Sequence, residues 1–170
     1  MTVWKKLRVG DVLLIKGASV ISPLIRWLTR CSFTHTAIVI NETQIIEATA
    51  DWEKGDTGNV RITPIKYYAG NDKIVLRPQI TFRQRMLIIK TALSKLHQPY
   101  DTLGFFLLGL KHWFGINSSR PRNKHTCISL IRSSFRKAGL HLNYALPINF
   151  LNSKKFRKVQ PSTTPQTEEA

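Results

Sequence analysis

Thr126-Cys127-Ile128-Ser129-Leu130-Ile131-Arg132 is the stretch whose reading decides the fold. It predicts a helix that opens on a cysteine. Thr126 stands at the N-cap, and Ile128, Ile131 and Phe135 recur on one face at i, i+3 and i+7. Arg132, Arg136 and Lys137 put positive charge near the end of the helix, where its dipole is negative, and Gly139 supplies the stop. Cys127 therefore falls at the positive end, where unpaired backbone N–H groups favour a thiolate. Arg122, Lys124 and His125 just upstream push its pKa the same way. The plainer reading of a lone cysteine is a small buried hydrophobe. The remaining residues must decide between the two.

A chain of 170 residues makes one domain. At this length it can bury about two-thirds of its unfolded surface. The net charge is +16, from 26 Lys and Arg against 10 Asp and Glu. Such a balance implies an acidic counterpart: nucleic acid, an anionic membrane surface or an acidic polymer. Cys31 and Cys127 allow one disulfide but no cystine scaffold. With no CxxC and no Cys/His cluster, no metal or other cofactor is expected. The apolar stretch after Met1 is cut by Asp11 and Lys16, so it fails as a signal peptide. Leu103 to Leu110 is too short to span a bilayer. The default expectation is a cytoplasmic protein, with peripheral membrane contact open.

In chain order, Asp11 to Ile15 predicts a buried strand and Ser22-Pro23 a helix start, with Leu24, Ile25 and Leu28 inward. Thr36 to Ile40 and Gln44 to Ala48 form a hairpin around Asn41-Glu42-Thr43. Asp51 to Asn59 reads as a loop, followed by short strands at Asn59 to Thr63 and Lys73 to Arg77. Thr81-Phe82-Arg83-Gln84 is a capping box. It opens a helix whose apolar residues Met86, Ile89, Leu93 and Leu96 repeat at helical spacing, stopped by Pro99. Phe105 to Trp113 is apolar and partly helical, Ser118 to Lys124 a basic loop, and Pro147 to Leu151 a last short turn. From Ser153 on, the polar composition predicts a disordered tail over 153–170, leaving 1–152 as the folded domain. Strands that cluster, with helices set apart, indicate an α+β fold.

His35 begins the hairpin. Pairing Ile40 with Gln44 sets Ala37 opposite Glu47 and His35 opposite Thr49. Glu47 is then a diagonal, same-face neighbour of His35, at about 7–8 Å between backbones. A carboxylate there would hold one imidazole nitrogen and leave the other for a thiol. A bulge at the turn would slip this register by one. Singly, His35 and Glu47 read as a hydrogen-bonded structural histidine and a solvated strand residue. Together with Cys127 they supply nucleophile, base and orienting group. Cys31, at a helix-to-strand join, reads as structural.

These residues carry a resemblance. Gly10-Asp11-Val12-Leu13-Leu14, Ser32-Phe33-Thr34-His35-Thr36-Ala37-Ile38, Ile46-Glu47-Ala48, Pro99-Tyr100-Asp101 and the Cys127 helix ending at Gly139-Leu140 follow one another in the order His, acid, Cys. The chain resembles the circularly permuted papain-like cysteine hydrolases of the NlpC superfamily, the YiiX/YaeF-like group, from about Gly10 to Leu151. The resemblance implies a permuted papain-like fold: a small, hairpin-rich, barrel-like antiparallel sheet packed against the helix bearing the nucleophile. It implies Cys127 as nucleophile, His35 as base, Glu47 as the group orienting His35, and Tyr100 near the oxyanion or in the substrate cleft, where a packed core aromatic is the equal alternative. One departure is Leu130, where the group often carries an acid, a change expected to touch packing or the cleft.

The expected activity is cleavage of an amide, ester or thioester through an acyl-enzyme on Cys127, with an anionic acyl or peptide substrate expected from the charge; cell-wall peptide and lipid-like acyl compounds both fit the resemblance. Two rivals stand beside it. One is an acyltransferase using the same triad. The other is a silent scaffold whose basic surface binds anionic lipid or nucleic acid. Nucleic acid is the weaker partner, because no recognised motif or stacking pattern is present. Lys111, His112, Trp113 and Phe114 read as an interfacial aromatic-basic patch.

Overall fold

The Val12–Ile15 run, apolar at every position, forms a strand buried on both faces and lies inside a six-stranded antiparallel sheet. The computed structural model describes residues 7–17, 26, 31–51, 55–101, 124–144 and 146–159. Among these, the strands are β1 (Val12–Ile15), β2 (His35–Val39), β3 (Gln44–Asp51), β4 (Asp56–Pro64), β5 (Lys73–Pro78) and β6 (Phe156–Val159). Their spatial order is β4-β3-β2-β1-β5-β6. The helices are α1 (Phe82–Leu93), α2 (Cys127–Lys137) and α3 (Pro147–Leu151), with a 3-10 turn at Ile65–Tyr68. The expected helix at Ser22-Pro23, the Phe105 to Trp113 segment, most of the Ser118 to Lys124 loop and the Lys111 to Phe114 patch lie outside the described residues.

Strand alternation sorts the apolar side chains into two clusters. Val12, Leu14, Ile38, Ile46 and Leu76 face the helices, where they meet Ile128, Leu130, Ile131 and Phe135 of α2. Leu13, Ile15, Ala37, Val39, Ile45 and Val75 form the core of the opposite face. α1 lies against α2 through Ile88, Ile89 and Ala92. Gln84 Nε2 donates to the Ala138 carbonyl at 3.2 Å, while Lys95 Nζ lies 3.2 Å from His125 Nε2. The two helices therefore run antiparallel, and the end of α1 lies beside the start of α2.

The result is the expected α+β arrangement of an antiparallel sheet with helices packed on it. Among the described residues no ladder joins β4 to β6, so the barrel-like closure is not seen. Two local expectations are corrected. The loop expected over Asp51 to Asn59 is a hairpin instead, because β4 already starts at Asp56. The register shifts between Thr49 and Asp51, and Gly58 at φ +85° crosses that irregularity. A Cβ there would lie 2.3 Å from the Thr49 carbonyl oxygen, so only glycine fits. The inner face of α1 is Ile88, Ile89 and Ala92, and the Met86 and Leu93 side is exposed. The tail expected from Ser153 contributes β6, which pairs Phe156 with Pro78 and Val159 with Val75. Phe156 anchors that strand by burying its ring against Phe135 and Phe150.

One polar group is held inside this frame. Asp11, fully buried, accepts from Arg77 Nε at 3.1 Å and Nη2 at 2.8 Å and from the Arg8 backbone N–H at 3.0 Å. Arg85 Nη1 lies 3.5 Å from it and donates to the Val9 carbonyl at 2.8 Å. This cluster ties the start of β1 to β5 and α1. Asp11→Ala leaves two guanidinium groups without their carboxylate and is expected to cost about 3–5 kcal/mol, read from urea unfolding.

Candidate active site

β2 meets β3 at Ile38–Ile46 and Val39–Ile45, and Ile40 N–H donates to the Gln44 carbonyl at 3.0 Å. This is the register expected from the hairpin turn. Glu47 follows the last rung, and His35 begins β2 at the end of the sheet, opposite Ile15. Their side chains meet: His35 Nε2 lies 2.6 Å from Glu47 Oε2. Glu47 is completely buried and accepts two further hydrogen bonds, from Thr63 Oγ1 at 2.6 Å and from the Tyr68 hydroxyl at 2.8 Å. Arg61 Nε stands 3.9 Å from its other oxygen. Tyr68 also stacks on the imidazole, with ring centroids 6.0 Å apart. A buried carboxylate needs such a set of donors to stay ionised.

Cys127 enters from the helix side. It is the first residue of α2, and the helix start is fixed by a reciprocal capping box: Ser129 N–H donates to Thr126 Oγ1 at 3.2 Å, and Thr126 N–H donates to Ser129 Oγ at 2.8 Å. Ser129 fills the position where Glu or Gln usually closes such a box. Leu130, the departure noted in the sequence, is fully buried in the apolar cluster. His35 and Cys127 act on each other electrostatically, each favouring the charged form of the other. Nε2 of His35 is engaged by Glu47, which leaves Nδ1 as its open nitrogen.

The electrostatics oppose burial and overcome it. Burial by itself would lower the His35 pKa, but the hydrogen bonds and negative charge of Cys127 and Glu47 push it up to about 10. Burial would likewise raise the Cys127 thiol, yet His35 and Thr36 bring it below its ordinary value. Glu47 follows the same pattern: desolvation would raise it, and His35, Thr63 and Tyr68 hold it low. Cys31 behaves in the opposite way. Its burial raises the thiol, with only a Phe33 backbone hydrogen bond against that trend. Both cysteines are free, so the one disulfide the sequence allowed is not formed.

Tyr100 joins this region through a bridge to His125, two residues before Cys127. Burial and the neighbouring charges of Cys127 and Asp101 raise its pKa well above the ordinary value, so its hydroxyl stays protonated. His125 differs from the sequence expectation. Burial and Lys95 push it down to about 4, so near neutral pH it adds no positive charge beside Cys127. It instead lies 2.8 Å from Gln98 Oε1 and holds the lead-in to α2.

Thr36, Thr63 and Tyr68 were not singled out by the sequence. Thr36 carried a faint signal, a hydroxyl inside a strand otherwise apolar and opposite Leu14. Its Oγ1 is buried without a hydrogen-bond partner, and its electrostatic effect falls on Cys127, whose pKa it lowers. Thr63 and Tyr68 carried none, because their part follows from β4 and the 3-10 turn folding back over Glu47.

The sequence matches no family model and no curated protein. A solved structure described as the metalloprotein YiiX from Escherichia coli O157:H7 is similar in fold, with a TM-score of 0.67 at 17% identity, over 91% of this chain and 97% of that one. The chain therefore has a distant structural link to a YiiX-type fold. The word metalloprotein describes that protein. Among the described residues here, no three His, Cys, Asp or Glu side chains are placed to hold a metal ion.

Thr36→Val keeps the shape of the side chain and removes the hydroxyl. The expected result is unchanged or slightly higher stability, with a Cys127 pKa raised by up to about one unit, the scale of one hydrogen bond to a charged group. Thiolate absorbance against pH measures it, and Thr36→Ser should keep the wild-type value.

Proposed function

We propose that the chain is a papain-like thiol hydrolase with Cys127 as nucleophile, His35 as acid and base, and Glu47 as the group that orients His35. The observation that carries this reading is the 2.6 Å contact between His35 Nε2 and a fully buried Glu47, together with a Cys127 thiol whose pKa His35 lowers. Reading the YiiX-type fold as that of a permuted hydrolase is consistent with it.

In this reading the resting site is a thiolate–imidazolium pair. The Cys127 sulfur attacks an acyl carbonyl carbon, and the carbonyl oxygen becomes an oxyanion. The start of α2 offers backbone N–H groups and the positive end of a dipole to that charge. Tyr100, its hydroxyl protonated, borders the same space. His35 gives its Nδ1 proton to the leaving amine, alcohol or thiol as the carbon–leaving-group bond breaks. A thioester on Cys127 remains. Neutral His35 then takes a proton from water, hydroxide attacks the acyl carbon, and the acid leaves as the thiolate returns. Glu47 keeps the ring in place throughout and compensates its charge. An amine or alcohol in place of water gives the acyltransferase variant with no change in these roles. Proposed substrates are acyl or peptide compounds, anionic ones being favoured by the basic surface. No described helix is long and apolar enough to cross a membrane.

Alkylation with iodoacetamide at mildly acidic pH, read by mass spectrometry, tests the reading without a known substrate. Cys127 should label well before Cys31, and His35→Ala should abolish the preference. Equal, slow labelling of both thiols would remove the catalytic proposal. Once an acyl substrate is found, His35→Ala is expected to lower kcat/KM by about 10²–10⁴-fold.

The pH profile follows from the pair. On the acid side activity falls where the thiolate takes up a proton, below the ordinary thiol value of 9.0. On the alkaline side it falls as His35 loses its proton, near pH 10. Glu47→Gln removes the charge that raises His35, so the alkaline limb should move to lower pH, as kcat/KM against pH would report.

A further inference from the structure

α1 is apolar on two sides. Ile88, Ile89 and Ala92 are buried against the fold. Yet of the large apolar residues exposed among the described residues, Phe82 (76%), Met86 (46%), Leu87 (40%) and Leu93 (37%) all belong to this one helix, leaving only Ile62 and Tyr67 elsewhere. At about 100° per residue, Phe82, Met86 and Leu93 fall within about 40° of one another. On the same projection Lys90, Arg83 and Leu87 follow in turn, completing an outward face about 140° wide. Arg83 and Lys90 are exposed. No acidic residue occurs between Gln79 and Gln98. A helix buried on one side and apolar-basic on the other exposes a face that water alone serves poorly.

The charge selects what covers it. A second copy of a chain carrying +16 would bring Arg83 and Lys90 against their own kind, an association opposed by like-charge repulsion. An anionic bilayer offers the complement to both components: acyl chains for Phe82, Met86 and Leu93, and headgroup phosphates for Arg83 and Lys90. We infer that the outward face of α1 docks the protein on an anionic lipid surface.

α1 runs antiparallel to α2, from Ala138 beside Gln84 to His125 beside Lys95, so a bilayer under α1 spans the length of α2, including the end that carries Cys127. Docking needs no chemistry at Cys127, so Cys127→Ser should bind as the wild type does, and the inference stands or falls apart from the hydrolase reading.

Co-sedimentation of the full chain with phosphatidylcholine vesicles, with and without phosphatidylglycerol, tests it. Binding is expected to the anionic vesicles, with a partition coefficient about tenfold or more above the neutral ones. The double variant Phe82→Ser/Met86→Ser should lower that coefficient about tenfold at unchanged melting temperature. Arg83→Glu/Lys90→Glu should weaken binding far more than Arg157→Glu/Lys158→Glu, which makes the same change of charge on exposed positions of β6. Equal losses from the two charge pairs would reduce the binding to net charge and overturn the docking face. Indifference to Phe82→Ser/Met86→Ser, or no binding to either vesicle, would overturn it as well. So would a dimer in solution that Phe82→Ser/Met86→Ser dissolves, since the cover would then be a second copy.

Discussion

The contact between Glu47 and His35 is the constraint on which the rest of the site depends. A carboxylate with no exposure is costly unless donors surround it. Here they come from three elements: His35 of β2, Thr63 of β4 and Tyr68 of the 3-10 turn, with Arg61 of β4 adding a positive charge 3.9 Å away. The pairing of β2 with β3 decides whether that set can assemble. A slip of one residue would carry Glu47 to the helix-facing side, among Ile38, Ile46 and Leu14, and away from Thr63 and Tyr68. Register and ionisation are thus one condition, set by a short turn at Asn41 to Thr43.

The helix side answers with a complementary device. Thr126 and Ser129 fix where α2 begins, and so fix which residue receives the free N–H groups. Cys127 occupies that place. Its sulfur lies where the helix dipole, the His35 ring and the Thr36 hydroxyl all favour the charged form, against the desolvation that favours the neutral one. The sheet puts imidazole and carboxylate on one side of β2 and Thr36 on the other. His35 is the first residue of its strand, at the end of the sheet, and its charge favours the thiolate of Cys127.

Legibility varied with how local each interaction is. The α2 helix, its N-cap, its buried face at Ile128, Ile131 and Phe135, and its Gly139 stop were readable because each depends on residues a few positions apart. The hairpin register was readable for the same reason. The start of α1 is legible in its capping box, but the spacing of Met86, Ile89, Leu93 and Leu96 does not fix which way the helix faces. Apolar residues occupy both sides of that helix, so periodicity alone could not say which side meets α2. The segment after Asp51 was read as a loop because glycines and acids dominate it. A glycine at positive φ is what lets the β3–β4 hairpin continue across its irregularity. β6 was missed in a polar stretch because one buried phenylalanine and pairing to a distant strand sustain it.

The amino-acid sequence by itself determined the locally encoded elements and the chemistry available: a thiol at a helix start, an imidazole at a strand start, a carboxylate across a short turn, and an excess of positive charge. Those are short-range properties, written in neighbouring residues. Only the tertiary structure decided which groups ionise together and which face of α1 stays open. Thr63, Tyr68 and Thr36 acquire their parts only when separate strands and a turn close around Glu47 and Cys127. His125 loses its charge only when Lys95 and the surrounding burial reach it. Desolvation and long-range contact do not exist until the chain has folded, so no local pattern could have carried them.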